Sequence, residues 1–218
     1  MTHNTGPDVG DRLGESGRHK APASGDCAVI LGSITTLSPN YLTELAMENN
    51  RVLVTGGAGF IGSNIANYLA EDNDVIAVDD GYLGTPENLT DNVEFIEQSV
   101  VDDDLPTDVD VVFHLAALSS YTMHEDNPAK GARVNVEGFV NTVEQAREDG
   151  CDTIVYATTS SIYGDRTEPS PESMAVEART GYEASKLARE RYAEYFHNHH
   201  DMTLAGLRFF SVYQGFGG

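Results

Sequence analysis

The sequence predicts a doubly wound α/β fold, in which helices cover both faces of a parallel sheet. Two observations lead to this prediction. From Arg51 onward, short apolar runs alternate with segments whose apolar residues recur at helical spacing. The first apolar run, Val52–Val54, leads directly into glycines at positions 56, 59 and 62. Alternating strands and helices joined by right-handed crossovers give a parallel sheet of this kind.

The apolar runs predict six strands, at Arg51–Thr55, Asp74–Asp79, Val93–Glu97, Asp110–Leu115, Thr153–Thr158 and Thr203–Leu207. Helical spacing predicts three clear helices, at Phe60–Glu71, Pro128–Asp149 and Gly181–His200. Residues 1–46 are instead rich in Gly, Ser, Thr, Pro and Asn. We expect a flexible N-terminal extension there, with a small appended module as the alternative. The folded domain then comprises residues 47–218.

Gly56, Gly59 and Gly62 stand where the first strand passes into the first helix, which is typical of a phosphate-binding turn. Glycine permits the tight turn, lets the backbone approach a pyrophosphate and lets the helix pack on the strand. The N–H groups at the start of the helix then face the phosphates, and the helix dipole favours negative charge there. A tight strand-to-helix turn with no ligand is the alternative.

Asp79 ends the second predicted strand and strengthens the prediction of a dinucleotide site. It lies 23 residues after Gly56, which is near the spacing expected of an acid that binds ribose. A carboxylate at this point accepts hydrogen bonds from the ribose hydroxyls and repels a 2′-phosphate. The sequence therefore predicts NAD rather than NADP. A solvated turn in an acidic protein is the alternative reading of Asp79.

The chain is strongly acidic, with 35 acidic residues against 13 basic ones and a formal net charge of −22. This balance argues against nucleic acid or an anionic membrane as a partner. It also resembles proteins adapted to high salt, where screening relieves self-repulsion. No apolar run is long enough to span a bilayer, and the N-terminus lacks the basic start and apolar stretch of a signal peptide. We expect a cytoplasmic protein.

We expect no metal site. Cys27 and Cys151 are far apart and form neither a ligand cluster nor a disulfide framework. Histidines cluster at positions 197, 199 and 200, which could suggest metal binding. They stand at the predicted end of a helix, where a solvated histidine also suits the helix dipole. We favour that second interpretation.

Tyr182 and Lys186 are the candidate catalytic pair. Residues at i and i+4 share one face of a helix. A lysine ammonium near a phenol favours the phenolate, so the tyrosine becomes able to take a proton from an alcohol. An amphipathic helix surface is the alternative. A hydroxyl-rich segment, Tyr156–Gly164, forms the end of the fifth predicted strand. Hydroxyls at the carboxyl end of a parallel strand point into the crevice where ligands bind. One of these hydroxyls can donate a hydrogen bond to the reacting oxygen of the substrate and orient it toward Tyr182. A Ser/Thr-rich turn without this role is the alternative.

Five ordered motifs then resemble one family. They are Thr55–Gly62, His114–Ala117, Asn135–Gly138, Thr159–Gly164 and the pair Tyr182 and Lys186. From about Met47 to the C-terminus the chain resembles the extended short-chain dehydrogenases/reductases, in the branch of NAD-dependent nucleotide-sugar epimerases and dehydratases such as UDP-glucose 4-epimerase. The resemblance implies a Rossmann fold, a nucleotide-sugar substrate and a homodimer formed through the helices at Pro128–Asp149 and Gly181–His200.

The resemblance also implies roles for individual residues. The implied catalytic residues are Thr159, Tyr182 as base and Lys186. Asn135 would support the architecture of the site, and the acid near the adenine would be Asp102 or Asp103. The other residues implied to bind NAD, in part again the catalytic pair, are Gly56, Gly59, Phe60, Ile61, Gly62, Asp79, Leu115, Ala116, Ala117, Tyr182 and Lys186. The implied substrate residues are Ser119, His124, Thr159, Ser160 and Ser211.

In this family a sugar hydroxyl is oxidised and the keto sugar is then reduced, with water loss between the two steps in dehydratases. Dehydratases of the family carry Asp-Glu directly after the catalytic threonine, where this chain has Ser160 and Ser161. We therefore favour an epimerase over a dehydratase or net oxidoreductase. Ser211 replaces the asparagine that in this family usually meets the phosphate of the substrate, so the sequence does not identify the sugar. Family members continue past this length with a substrate domain, so we expect a truncated chain, and a non-catalytic NAD-binding module is a further alternative.

Overall fold

The computed structural model describes residues 47–212. The predicted extension at 1–46, with Cys27, and the residues after 212 lie outside the described residues. Six strands are present: β1 Arg51–Thr55, β2 Asp74–Asp79, β3 Val93–Glu97, β4 Val111–His114, β5 Thr153–Thr159 and β6 Thr203–Phe209. The α-helices are α1 Phe60–Leu69, α2 Tyr121–Asp126, α3 Pro128–Ala132, α4 Gly138–Glu148 and α5 Gly181–His200.

The six strands form one parallel sheet in the order β3-β2-β1-β4-β5-β6. This is the strand order of a Rossmann fold, so the predicted fold class is confirmed. Because β1 pairs with β2 on one side and with β4 on the other, the chain leaves β1 and β4 in opposite directions. A crevice opens at such a switch point, outside the carboxyl ends of the strands.

Side chains alternate between the two faces of the sheet, and each face has its own apolar core. Val52 and Val54 of β1 pack with Ala66 of α1 on one face. Leu53 of β1 packs on the other face with a larger cluster that includes Phe139 of α4 and further residues of α5. The near-continuous apolar strands of the sequence are therefore strands buried on both sides, as expected for a parallel sheet.

The segment predicted as one helix from Pro128 to Asp149 is helical but is not a single α-helix. A π turn, Arg133–Glu137, separates α3 from α4, and the Gly138 N–H bonds back to Arg133 O. Apolar residues at helical spacing predict a helical segment but do not specify which carbonyl each N–H binds, so periodicity does not reveal this widened turn. The turn contains Asn135, which is fully buried, and π turns are frequent at functional sites.

Candidate active site

The turn between β1 and α1 is packed so closely that its glycines leave no room for side chains. Gly56 has a φ of 69°, and a Cβ there would lie 2.6 Å from Ala116 N, in the segment after β4. A Cβ at Gly62 would overlap the carbonyl oxygen of Gly56. The glycines thus allow the start of α1 to approach the ends of β1 and β4, as the sequence predicts.

The start of α1 presents free backbone donors. No side chain caps this helix, and no acidic residue occupies its first turn. Its first backbone bond runs from Ser63 N to Gly59 O at 2.9 Å, so the N–H groups of Phe60, Ile61 and Gly62 precede the helical hydrogen bonds. These donors and the positive end of the helix dipole suit an anionic group such as a phosphate.

Asp79 is held against this glycine turn. Its carboxylate accepts hydrogen bonds from Ala58 N at 3.2 Å and from Gly81 N at 3.0 Å. Burial raises the pKa of Asp79 above its usual value, although the hydrogen bonds from Gly81 and Ala58 act in the opposite direction. The side chain is thereby fixed in one orientation at the carboxyl end of β2, beside the candidate phosphate site.

One cleft of about 760 Å³ runs along the carboxyl ends of the strands. This volume lies within the range typical of small-molecule and cofactor sites. The cleft brings together the predicted residues Gly56, Gly59, Phe60, Ile61, Gly62, Asp79, Leu115, Ala116, Ala117, Ser119, Thr159, Ser160, Tyr182, Lys186 and Ser211. Residues distant in the sequence therefore share a single site.

Tyr182 and Lys186 project from the first turns of α5 into this cleft. The helix start is fixed by Thr180, whose side chain accepts a hydrogen bond from Glu183 N. The Lys186 ammonium lies 5.8 Å from the centre of the Tyr182 ring and donates to Ala157 O at 3.3 Å. Burial lowers the pKa of Lys186 well below its usual value, and the nearby Arg189 lowers it further.

Thr159 is the last residue of β5 and lies in the same cleft. Its hydroxyl oxygen accepts a hydrogen bond from Ser161 N at 3.2 Å and lies 3.0 Å from the Ser161 hydroxyl. The strand end therefore holds this hydroxyl in place at the cleft wall.

Asn135 connects two walls of the cleft. Its amide oxygen accepts a hydrogen bond from Leu118 N at 2.8 Å, and its amide nitrogen donates to the Ser185 hydroxyl at 2.9 Å. Leu118 belongs to the segment after β4, and Ser185 lies on α5. These bonds fix that segment relative to the helix that carries Tyr182, which agrees with the supporting position implied for Asn135.

His124 is not among the residues that line the cleft, contrary to the substrate contact expected from the sequence. Its side chain is buried, with Nε2 at 3.2 Å from Leu118 O. The ring lies edge-on to Tyr182, at 5.6 Å between ring centres, and closely approaches Gly131. Because α3 packs over it, His124 supports the Tyr182 ring from behind and does not face the cleft.

Asp102 does not line the cleft either, contrary to the adenine contact implied by the resemblance. Its carboxylate pairs with Arg133 of the π turn at the surface. Asp103, the alternative, accepts a hydrogen bond from Ser99 N at 2.7 Å. The residues after β3 that reach the cleft are Gln98, Ser99, Val100 and Val101. The partner of Asp102, Arg133, lies 31 residues further along the chain, so the sequence of this loop does not reveal the pair.

Sequence reasoning also missed an ion pair behind the cleft. The Glu190 carboxylate receives hydrogen bonds from Arg208 Nη2 at 2.7 Å and from the Thr158 hydroxyl at 2.8 Å. Arg208 also donates to the Tyr163 hydroxyl at 2.8 Å. The pair joins α5 to the ends of β5 and β6. Its partners lie 18 residues apart in sequence, so no local pattern identifies them.

His114, the last residue of β4, is a further buried polar group beneath the cleft. Its Nδ1 lies 3.0 Å from the Thr55 hydroxyl, and its Nε2 has no hydrogen-bond partner among residues 47–212. Burial lowers the pKa of His114 well below its usual value, and the positive charges of Arg189 and Lys186 add to this effect. The ring is therefore neutral at pH 7.

This burial predicts a specific pH dependence of stability. In the unfolded chain His114 gains a proton below about pH 6.5, whereas in the folded protein it gains one only at a lower pH. The stability that depends on the neutral buried ring is therefore complete above about pH 6.5 and is lost as the pH falls. We expect the free energy of unfolding of the wild type to fall more steeply below pH 6.5 than that of His114→Gln, by up to about 1.4 kcal/mol per pH unit. Urea unfolding of both proteins checks this. Equal slopes would contradict it, because the remaining carboxylates titrate in both.

Within residues 47–212, no helix is long and apolar enough to cross a membrane. Within the same range, no group of three or more His, Cys, Asp or Glu side chains is arranged to hold a metal ion.

Comparison with known proteins gives a consistent set of similarities. Residues 52–215 match the family described as "NAD dependent epimerase/dehydratase family". A putative UDP-glucose 4-epimerase of Methanocaldococcus jannaschii is 35% identical over 170 residues, and the UDP-glucose 4-epimerase of Mycolicibacterium smegmatis is 36% identical over 176. These alignments cover 74% and 75% of this chain and 56% of each relative. UDP-glucuronic acid decarboxylase 5 of Arabidopsis thaliana is 32% identical over 189 residues, and the alignment covers 81% of this chain and 55% of that protein.

Solved structures agree with these relatives. The UDP-N-acetylglucosamine 4-epimerase of Methanobrevibacter ruminantium, in complex with UDP-N-acetylmuramic acid, matches with a TM-score of 0.73 at 31% identity, over 77% of this chain and 56% of that one. The UDP-glucose 4-epimerase of Thermus thermophilus, in complex with NAD, matches with a TM-score of 0.67 at 31% identity. The match covers 72% of this chain and 54% of that one. The chain thus spans about half the length of these proteins.

Proposed function

This chain belongs to the NAD-dependent epimerase/dehydratase family, and from that premise we propose that residues 47–218 bind NAD and serve a nucleotide-sugar epimerase like UDP-glucose 4-epimerase. One observation carries the proposal: Tyr182, Lys186 and Thr159 share a single cleft with the glycine turn and Asp79. Cofactor site and candidate base thus face the same space, as a reaction between a bound dinucleotide and an alcohol requires.

The residues fit NAD. The cradle formed by Gly56 and Gly62 would be filled by any side chain, and it lies beside the free N–H donors of α1. These groups would hold the pyrophosphate. Asp79, fixed by the turn, would accept hydrogen bonds from the adenosine ribose and disfavour a 2′-phosphate. When bound, NAD supplies an acceptor for the hydride of the sugar carbon.

The chain's own residues handle the proton. Tyr182 accepts the proton of the reacting sugar hydroxyl and later returns it to the same oxygen. Thr159 donates a hydrogen bond to that oxygen and orients it toward Tyr182. Lys186 lies beneath the ring of Tyr182 and favours its phenolate form. Leu115, Ala116 and Ala117 form an apolar wall, which limits the access of water to the reacting carbon.

The same cleft favours epimerisation over dehydration. Loss of water from the sugar needs an acid and a base near the reacting carbons. Among the described residues that line the cleft, the carboxylates are Asp79 and Asp80, both at the end of β2 beside the glycine turn. Ser160 and Ser161 follow Thr159 at the opposite wall and cannot serve as general acid and base at neutral pH.

The test is incubation of the full chain with NAD and UDP-glucose, in buffers of low and of molar salt. We expect calorimetry to show tighter binding of NAD than of NADP, and UDP-galactose to form without net NADH. A 4-keto-6-deoxy product would instead identify a dehydratase. NAD binding without turnover of any nucleotide sugar would identify a non-catalytic module, and no NAD binding in either buffer would contradict the whole proposal.

Three further expectations stay predictions. They are the homodimer implied by the family resemblance, the salt adaptation inferred from the net charge of −22, and the substrate contacts of Ser119 and Ser211 at the cleft.

A further inference from the structure

Arg189 is a fully buried arginine on α5, three residues after Lys186. Its guanidinium donates hydrogen bonds to three backbone carbonyl groups. Nε reaches Asn135 O at 2.6 Å, Nη2 reaches Ala116 O at 2.8 Å, and Nη1 reaches Ala157 O at 3.3 Å. The planar guanidinium carries N–H donors on three separate nitrogens, and each of the three bonds one carbonyl here. A lysine ammonium also has three donors, but they share a single nitrogen, so it could not reach acceptors spread in this way.

The three carbonyl groups belong to three elements that form the floor of the cleft. Ala116 lies in the segment after β4, and Ala157 lies in β5 two residues before Thr159. Asn135 lies in the π turn, which contacts α5 through Arg189 and Ser185. The Lys186 ammonium also donates to Ala157 O, at 3.3 Å. One side chain therefore joins the ends of two strands, the π turn and the helix that carries Tyr182.

The charge of Arg189 has no acidic partner among residues 47–212. The nearby acids on α5 are already paired, Glu183 with Arg179 and Glu190 with Arg208. From β4, His114 faces the guanidinium as a neutral ring, and Phe139 of α4 lies 5.8 Å from it. The remaining titratable groups that face it are Tyr156 of β5 and, on α5, Tyr182 and Lys186.

Burial lowers the pKa values of both cations, but from different ordinary values. It lowers the pKa of Arg189 to about 10, while Tyr182 and Tyr156 act to raise it. It lowers the pKa of Lys186 well below the usual value for lysine. At neutral pH the guanidinium therefore keeps its proton more securely than the ammonium. A positive charge at this place favours the phenolate form of Tyr182.

We propose that Arg189 is a positioning residue that locks the ends of β4 and β5 and the π turn together beneath the cleft and supplies a permanent positive charge beside Tyr182 and Lys186. The proposal rests on the proposed role of Tyr182 as the base. Arg189 is then the residue that keeps its positive charge at neutral pH, whereas the family resemblance implied Lys186 alone as the partner of Tyr182.

Titration of Lys186 by NMR in the full chain tests the charge. The chain has only three lysines, so ¹³C-labelled lysine gives few signals, and Lys186→Met identifies the one of interest. We expect Arg189→Gln to raise the pKa of Lys186 by about one pH unit, because a buried like charge is removed. The control is Phe139→Leu, which loosens the same pocket but keeps the guanidinium. An equal rise in both variants, or no rise in Arg189→Gln, would overturn the proposal.

A second measurement on the wild type applies if Arg189→Gln does not fold. We expect one arginine Nε–H signal, identified by its proximity to Asn135, to exchange with solvent far more slowly than those of surface arginines at neutral pH. Exchange at the surface rate would contradict the buried, charged and triply bonded side chain. Neither measurement needs cofactor or substrate, so the two proposals fail separately. A failed epimerase assay would remove the role of Tyr182 as the base but would not change the measured pKa of Lys186, and an unchanged pKa of Lys186 in Arg189→Gln would overturn the role of Arg189 without affecting the epimerase assay.

Discussion

Replacing Tyr182 with phenylalanine is expected to lower nucleotide-sugar turnover by about 10²- to 10⁴-fold, which is the contribution typical of a general acid–base group. Phenylalanine keeps the ring, which packs edge-on against His124 and lies above Lys186. It lacks the oxygen that would accept the substrate proton. We therefore expect NAD affinity and the free energy of unfolding to stay close to those of the wild type.

The measurements are steady-state turnover with UDP-glucose, calorimetry with NAD, and urea unfolding. A matched control is Tyr195→Phe, which removes a hydroxyl from the same helix but at an exposed position outside the cleft. Turnover in this control should match the wild type. If Tyr182→Phe retained more than about a tenth of wild-type turnover, Tyr182 would not be the base.

Gly62→Ala is expected to damage both stability and cofactor binding. The new Cβ would overlap the carbonyl oxygen of Gly56, a backbone atom that cannot rotate away. The turn must therefore open, at a cost of about 1–3 kcal/mol in the free energy of unfolding, as for overpacked cores. Because the same movement displaces the N–H donors at the start of α1, we also expect at least a tenfold loss of NAD affinity.

Alanine substitutions at two other glycines distinguish a loss of stability from a loss of NAD binding. Gly150 follows α4 with a φ of 88°, and a Cβ there would meet nothing within 4 Å. Gly150→Ala should cost stability through backbone strain alone and leave NAD binding intact. Gly59 has an extended backbone, and its Cβ would lie 3.3 Å from Gly56 O. Gly59→Ala should weaken NAD binding with a smaller loss of stability. Wild-type NAD binding by Gly62→Ala would contradict the proposed pyrophosphate cradle.

The buried groups beneath the cleft indicate how the site is held together. Arg189 and Asn135 both bind backbone groups of the segment after β4, at Ala116 O and Leu118 N respectively. Each is fully buried, and each reaches across from a different helical element. Polar groups buried in this way are costly unless their hydrogen bonds are satisfied. Arg189 and Asn135 have these bonds, so the backbone around Leu115–Leu118 is held in one conformation.

Local patterns in the sequence determined the fold and most of the site. Apolar runs typical of strands alternate in the sequence with segments whose apolar residues recur at helical spacing. This alternation was sufficient to predict the parallel sheet, because a strand that is buried on both faces is apolar at nearly every position. The glycine turn, Asp79, Thr159 and the pair Tyr182 and Lys186 could be found because each stands at the end of a predicted strand or within one helical turn. In a parallel sheet such strand ends meet at one edge.

Tertiary structure decided what depends on partners far apart in the chain. Asp102 pairs with Arg133 and His124 is covered by α3, and neither lines the cleft although both stand near motif positions. The π turn and the buried Arg189 were invisible to periodicity. An arginine on a helix usually predicts a solvated face, and only packing against three backbone carbonyls 32 to 73 residues away makes this one part of the site. Sequence records local propensity and spacing, whereas the surroundings of a buried charge arise only when distant segments pack together.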